Sequence, residues 1–295
     1  MSTVTTDNFA VFILTHGRPD RVITYDTLKK QGYTGDIYII IDNEDDTAEE
    51  YQTRFGNKVI VFDKRAIAQR FDTGDNFDDR RTVVFARNAC FGIAKDLGLD
   101  YFLQLDDDYT AFWWEFTASL EFSDRKVKRS LDVLFGAVLE FYQSIPALCI
   151  AFGQSGDLLG GKDSTHVKQL RLKRKCMNTF FCSTARPFEF FGRINEDVNT
   201  YTTRGNRGEL LFTMFNAIIR QVPTQAGGGG MTDVYVNEGT YVKSFYSVMY
   251  CPSFVKISMM GQTRKRLHHK IRWDHAVPCI LDEKWKKGSP LELME

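Results

Sequence analysis

Four short apolar runs constrain this chain more than any other feature. They are residues 9–15 (FAVFILT), 36–42 (DIYIIID), 58–62 (KVIVF) and 101–105 (YFLQL). Each reads as a buried strand. Between them lie helical segments. Residues 20–31 carry Val22, Ile23 and Leu28 on one side, and residues 82–97 turn Val84, Ala94 and Leu97 inward. Gly32 and Gly35 punctuate the first, and the acidic stretch 42–50 reads as a loop and helix start. Strands alternating with helices predict an α/β fold with a mostly parallel sheet flanked by helices. Such sheets bind ligands at the carboxyl ends of their strands. Three polar clusters fall at those ends: Thr15–Arg18, Asp42 and Asp106–Asp108.

The second half is less regular. Residues 128–143 read as a helix, 147–152 and 179–183 as strands, and 207–221 as another helix. Gly227–Gly230 reads as a mobile loop, because four glycines hold an ordered backbone only at high entropic cost. No long linker or internal repeat divides the chain. Residues 1–110 and 111–295 are therefore expected to be two parts of a single domain. No apolar run approaches the roughly 18–20 residues that span a bilayer. The N-terminus lacks the pattern of a secretory signal. The six cysteines (Cys90, Cys149, Cys176, Cys182, Cys251, Cys279) contain no CxxC pair and read as reduced thiols, which predicts a cytoplasmic protein.

The chemistry concentrates in two acidic motifs. Asp106 and Asp108, at the end of the fourth strand, are candidates to converge on one hard cation, Mg²⁺ or Mn²⁺. The plain alternative is a solvated acidic loop. Arg87, in Ala86-Arg87-Asn88 on the preceding helix, can orient that cluster, reach a diphosphate, or simply lie on the surface. The second motif is Ile194-Asn195-Glu196-Asp197-Val198, after the aromatic stretch Phe188–Gly192. One of its carboxylates can serve as a general base, or it can merely cap a helix dipole.

Thr15-His16-Gly17-Arg18-Pro19 after a first strand, Asp42 after a second, the Ala86-Arg87-Asn88 helix and a strand-end DxD together resemble the nucleotide-sugar half of GT-A glycosyltransferases. The details are most similar to the TET-associated glycosyltransferase family, found mainly in phages, over residues 9 to about 275. The resemblance implies transfer of a sugar from a UDP-sugar to 5-hydroxymethylcytosine in double-stranded DNA. Inversion is the expected course, with retention, which would not need the base, the alternative. Residues 1–110 would hold the donor and 111–295 the acceptor. Thr15, Arg18 and Asp42 would line the nucleotide pocket, with Arg87, Asp106 and Asp107 against the donor. Asp106 and Asp108 would hold the metal, with a late histidine (His268, His269 or His275, here His269) closing its shell. Asp197 is the first choice of catalytic base and Glu196 the second. For a phage-encoded enzyme the compartment would be the host cytoplasm.

Net charge is zero, with 38 basic and 38 acidic residues, but it is unevenly divided. Residues 1–108 hold 20 acidic and 13 basic side chains, and residues 109–295 hold 18 and 25. An acidic half suits a metal–nucleotide donor, and a basic half suits a polyanion. The basic run Lys168–Lys175, with Arg186, Arg193, Arg204 and Arg207, is the expected DNA grip. Phe180, Phe181, Phe188, Phe190 and Phe191 are candidates to stack on an extruded base, and Trp113-Trp114 to shape the sugar pocket; the plain alternatives are a solvated basic strand, a hydrophobic core and simple packing. Three other readings stay open: a GT-A enzyme with a protein or glycan acceptor, a nucleotidyltransferase, and a catalytically idle DNA-binding module. The lack of a Gly-rich phosphate loop at residues 14–20 weighs against the nucleotidyltransferase.

Overall fold

The computed structural model describes residues 8–75, 77–119, 121–154, 156–158, 160–164, 176–222, 242–261 and 265–278. The first half runs β1 (Phe9–Leu14), α1 (Ile23–Lys30), β2 (Asp36–Asp42), α2 (Ala48–Phe55), β3 (Val59–Phe62), α3 (Lys64–Ala68), α4 (Val84–Asp96) and β4 (Tyr101–Asp106). There follow β5 (Tyr109–Phe116), β6 (Phe122–Lys126), α5 (Leu131–Ser144), β7 (Ala147–Gln154), β8 (Phe180–Ser183), α6 (Glu196–Asn206) and β9 (Leu210–Gln221). The chain then forms α7 (Val242–Tyr250), the hairpin β10 (Val255–Met260) and β11 (Arg266–Ile271), and α8 (Trp273–Ala276).

Nine strands form one sheet in the order β3-β2-β1-β4-β8-β7-β9-β5-β6. β1 to β4 are mutually parallel, and in the whole sheet β8 and β5 run against the others. The expected α/β fold, a mostly parallel sheet flanked by helices, is what forms. Every residue of β1 is buried, and the strand serves two cores by alternation. Phe9, Val11 and Ile13 join residues of α1, α2 and α5 on one face. Ala10, Phe12 and Leu14 join α3, α4 and α6 on the other. A strand covered on both faces reads as a continuous apolar run, which is why these strands were visible in sequence.

β2 and β4 flank β1 on opposite sides, so the strand order reverses at β1's carboxyl end. There Leu14 lies opposite Asp106, and β2 ends on Asp42. The expected convergence of the three polar clusters on one sheet edge is therefore met.

One element departs from expectation. Residues 210–221 form a strand, β9, between β7 and β5, where a helix was expected. Its run LLFTMFNAII has the near-continuous apolar character of an interior strand, and periodicity alone does not separate that from a buried helix. Neither Lys168–Lys175 nor Gly227–Gly230 falls within the described residues. The five described cysteines are buried free thiols, as expected. Among the described residues no helix is long and apolar enough to cross a membrane.

Candidate active site

The loop after β1 and the turn after β4 meet at the switch in strand order. Thr15 donates to Asp107 at 2.6 Å and lies 2.8 Å from the Tyr51 hydroxyl. Arg18 reaches the same Asp107 oxygen at 3.0 Å, and its backbone N–H donates to Tyr51 at 2.9 Å. Burial pushes Asp107's carboxyl up, and Arg18 and Thr15 offset this only in part. Asp42 is buried and takes His16 Nδ1 at 2.9 Å and Lys64 Nζ at 3.1 Å. Its burial favours the neutral acid, but the His16 hydrogen bond and the Lys64 charge outweigh that and hold its pKa below the ordinary range. The Asp42 hydrogen bond in turn raises His16.

The strand stops at Asp106, and Asp107-Asp108 form the turn into β5. Asp106 and Asp108 are therefore not paired by alternation along a strand; Asp108 belongs to the turn, within reach of the Asp106 charge. Burial first, then the charges of Asp106 and Asp107, push the Asp108 carboxyl up to about 7. Thr24 braces the turn, donating to the Asp106 carbonyl at 2.6 Å and accepting from Tyr109 N at 2.9 Å.

Arg87 is buried, not a surface arginine. Nη2 donates to Asp106 at 3.0 Å and Nε to Glu196 at 3.1 Å, and the guanidinium lies 4.8 Å from the Phe180 ring centroid. One side chain thus ties the strand-end cluster to the second acidic motif. Burial pushes Glu196 up to about 7, with Asp197 adding and Arg87 opposing. Asp197 is less buried; it opens the first turn of α6 and accepts from Val198 N at 2.7 Å.

The turn that delivers this pair is fixed from behind. Gly192 sits at φ +81°, where a Cβ would lie 2.4 Å from the Asn199 amide nitrogen, so only glycine fits. Asn199, fully buried, donates to the carbonyls of Phe191 (3.1 Å) and Ile194 (3.0 Å). Asn195 precedes α6 in a left-handed conformation and donates to Ser247 at 2.5 Å. His269, buried on β11, places Nδ1 3.4 Å from the same Asn195 amide, beside the Glu196-Asp197 turn. His275 is exposed. Among the described residues, no three His, Cys, Asp or Glu side chains stand ready-gathered for a metal.

Several expected acceptor contacts are otherwise engaged. Phe180, Phe181, Phe188 and Phe190 are core residues with at most 5% exposure, so they are not placed to stack on a base. Phe191 packs under Arg204, whose guanidinium also pairs with Glu209 at 3.2 Å. Arg193 has no exposed surface and pairs with Asp75 and Asp79, while Arg186 binds the carbonyls of Tyr142 and Ile145. Of those four arginines Arg207 is the exposed one. Trp114 packs on the core and Trp113 lies 3.6 Å under Arg220, so neither shapes a pocket at Asp106–Asp108.

A family model for the TET-associated glycosyltransferases matches residues 9–230. The chain belongs to that family. It is accordingly a glycosyltransferase, and the match covers both acidic motifs. No curated protein sequence matches the chain. Among solved structures it is similar to the mannosyltransferase PcManGT from Pyrobaculum calidifontis, in complex with GDP-Man and Mn2+. Identity is 9%, the TM-score is 0.47, and 83% of this chain and 73% of that one are covered. It is also similar to glucosyl-3-phosphoglycerate synthase from Mycobacterium tuberculosis, in complex with Mn2+, UDP and phosphoglyceric acid (10%, TM-score 0.46, 90% and 87% covered). A third similarity is to S. aureus TarS 1-349 in complex with UDP-GlcNAc (13%, TM-score 0.45, 82% and 66% covered).

Sequence reasoning missed Tyr51, Lys64 and Asn195. Lys64 had a local signal, because it lies two residues past the third strand, at the edge where Asp42 ends the second. Asn195 stood within the second motif, where only the carboxylates were given roles, and Tyr51 had no local signal.

Proposed function

We propose that this glycosyltransferase moves a sugar from a UDP-sugar to the hydroxymethyl group of 5-hydroxymethylcytosine in double-stranded DNA, on a GT-A-type framework and with inversion. The observation that carries the reading is Arg87, which joins Asp106 to Glu196 in one buried assembly. A transferase needs donor and acceptor machinery side by side, and this arginine holds both.

The residues fit a divalent cation and a diphosphate. The donor set at Asp106 and Asp108 is hard carboxylate oxygen, which suits Mg²⁺ or Mn²⁺. Asp108 is crowded by like charges, the condition a cation relieves. Arg87 Nη1 and Arg18 Nε are buried donors with no hydrogen-bond partner among the described residues, apt for phosphate oxygens. When bound, the metal would act as a Lewis acid on the leaving diphosphate. Asp106 and Asp108 would hold it, and His269, which stands beside Asn195 and is not gathered with them, is the candidate to complete the shell. Thr15, Arg18, Asp42 and Asp107 would line the nucleotide pocket of the donor part, residues 1–110. Asp197 would take the proton of the acceptor hydroxyl as its oxygen bonds to the anomeric carbon and the bond to UDP breaks. Glu196 would keep Arg87 aligned, and is the alternative base.

The family's association with DNA modification supports the acceptor. A protein or glycan acceptor is the second reading, favoured by the internal use of Arg186, Arg193 and Arg204. Mass spectrometry of hydroxymethylated duplex DNA, incubated with a panel of UDP-sugars and Mn²⁺, separates the two. A nucleoside mass increased by one sugar is expected. An unchanged mass with every donor refutes the DNA acceptor.

A further inference from the structure

Residues 242–272, which hold α7 and the hairpin β10–β11, contain seven Lys or Arg side chains and no acidic one. Five of the seven, Lys256, Lys265, Arg266, Lys270 and Arg272, are exposed. Among the described residues no carboxylate pairs with any of these five. Arg186, Arg193 and Arg204, by contrast, are engaged inside the protein. The hairpin is therefore a place where positive charge is displayed without an internal partner.

The strand register concentrates that charge on one face. Lys256 lies directly opposite Lys270, and Met260 opposite Arg266. Alternation along the strands puts Lys256, Arg266 and Lys270 on the same side. Like charges directly opposite one another weaken a hairpin. No carboxylate on the hairpin or on α7 offsets the Lys256–Lys270 repulsion. An anion from outside would.

The other face is the anchor. Val255 is fully buried with Cys251, Phe254 and Ala276, and Ile271 and Trp273 pack against them. Trp273 stacks on Tyr201 of α6, with ring centroids 5.5 Å apart. His269, on the same face as Val255, is buried and places Nδ1 3.4 Å from the Asn195 amide. Asn195 immediately precedes Glu196, so the hairpin is fastened to the helix that the second acidic motif opens. These contacts hold the cationic face beside the turn where the acceptor is to react.

We infer that the exposed face of β10–β11 binds the phosphate backbone of the DNA duplex whose base is brought to the Glu196-Asp197 turn. The inference rests on the DNA reading above and deepens it. Exposed, unpaired cations neutralise phosphates and position a duplex without reading its sequence. The hairpin supplies the grip that Arg186, Arg193 and Arg204, turned inward, do not.

Fluorescence anisotropy of a duplex containing 5-hydroxymethylcytosine, titrated with the protein over a series of salt concentrations, tests this. In the triple variant Lys256→Gln, Arg266→Gln, Lys270→Gln the slope of log K against log [salt] is expected to flatten by about 2.7, about 0.9 for each of three phosphate contacts. Lys256→Gln alone should flatten it by about 0.9. Affinity should fall equally for modified and unmodified duplexes. Lys256→Arg with Lys270→Arg should keep the wild-type slope. The melting temperature of the triple variant should hold or rise, because the Lys256–Lys270 repulsion is relieved. Calorimetric titration with UDP and Mn²⁺ should give the wild-type Kd. An unchanged salt slope in the triple variant overturns the inference and leaves the DNA reading standing. If the slope holds while UDP binding weakens, the face serves the donor diphosphate; if it holds while binding to vesicles of anionic phospholipid is lost, the face serves a lipid surface. Either result overturns the inference. A wild type that binds UDP yet no duplex at low salt overturns the DNA reading, and the hairpin's role falls with it.

Discussion

The two acidic motifs on either side of Arg87 are built in different ways. Asp106–Asp108 is the end of a buried strand, and its nearest partners, Thr15, Arg18 and Thr24, come from the loop and helix after β1. Glu196-Asp197 is the start of a helix, fixed by residues scattered over the chain: Asp72 and Thr73 through Gly192 and Arg193, and Ser247 and His269 through Asn195. The first is a product of sheet topology and the second of long-range clamping. Arg87 is where they meet, so it carries the largest expected effect. Arg87→Ala leaves Asp106 and Glu196 without their shared buried partner. Losing one member of a buried pair costs about 3–5 kcal/mol. Urea denaturation should show that loss, and transfer should vanish. Stability within about 1 kcal/mol of wild type would mean that the motifs are held independently.

The next prediction separates chemistry from support inside the second motif. Asp197→Asn should lower kcat by roughly 10²–10⁴, the usual contribution of a general base, and leave the urea midpoint in place. Glu196→Gln should lower both, because Glu196 is the residue bonded to Arg87. If Asp197→Asn keeps kcat and Glu196→Gln loses it without a stability change, the base is Glu196 instead.

The same contrast governs what could be read in advance. The parallel core was legible because β1, β2 and β4 are covered on both faces and leave long apolar runs ending at the ligand edge. β9 carries the same kind of run between Gly208 and Pro223, but at 12 residues it has the length of a helix, and its apolar character alone did not declare it a strand. Arg193 was counted as a surface cation because arginine is rarely buried. Its partners Asp75 and Asp79 lie more than a hundred residues away, and no local pattern links them. The charge asymmetry was misassigned for the same reason: part of the acidic excess of the first half is neutralised inside the protein by Arg193 of the second. The four buried phenylalanines have a similar lesson, since an aromatic cluster beside a basic stretch is ordinary core once β8 and α4 enclose it.

A smaller effect probes the clamp behind the second motif. The Arg81 hydrogen bond, with help from Arg193, holds the Asp79 carboxyl down to about 2 from an ordinary 3.8. A depressed acid stabilises the fold above its unfolded pKa and loses that stability as pH falls through its folded value. The loss from this residue therefore falls between about pH 4 and about pH 2. Arg81 is half exposed, so solvent screening trims the contribution to about 1 kcal/mol. Asp79→Asn should flatten the acid limb of a stability-versus-pH curve over that window. An unchanged limb would show that the clamp is held by Asp75 alone.

The smallest expected effect lies far from both motifs and tests why Glu196 needs an arginine at all. Glu115 on β5 is also buried, and its Oε1 has no hydrogen-bond partner among the described residues, its carboxyl facing Asp124 instead of a cation. Burial, then Asp124, pushes its carboxyl up to about 7 from 4.5, much as for Glu196. The nearby Arg220 pairs with Asp124 at 2.9 Å rather than with Glu115. A raised acid binds more protons folded than unfolded between those two values, so stability falls as pH rises through that window. Glu115→Gln removes the penalty. Because Arg220 and Asp124 reach solvent, the gain should be only about 1 kcal/mol near pH 8 and close to nothing near pH 4. Equal gains at both pH values would assign the effect to packing. The predicted pH-dependent gain would mark Glu115 as a buried acid left without the arginine that Glu196 has.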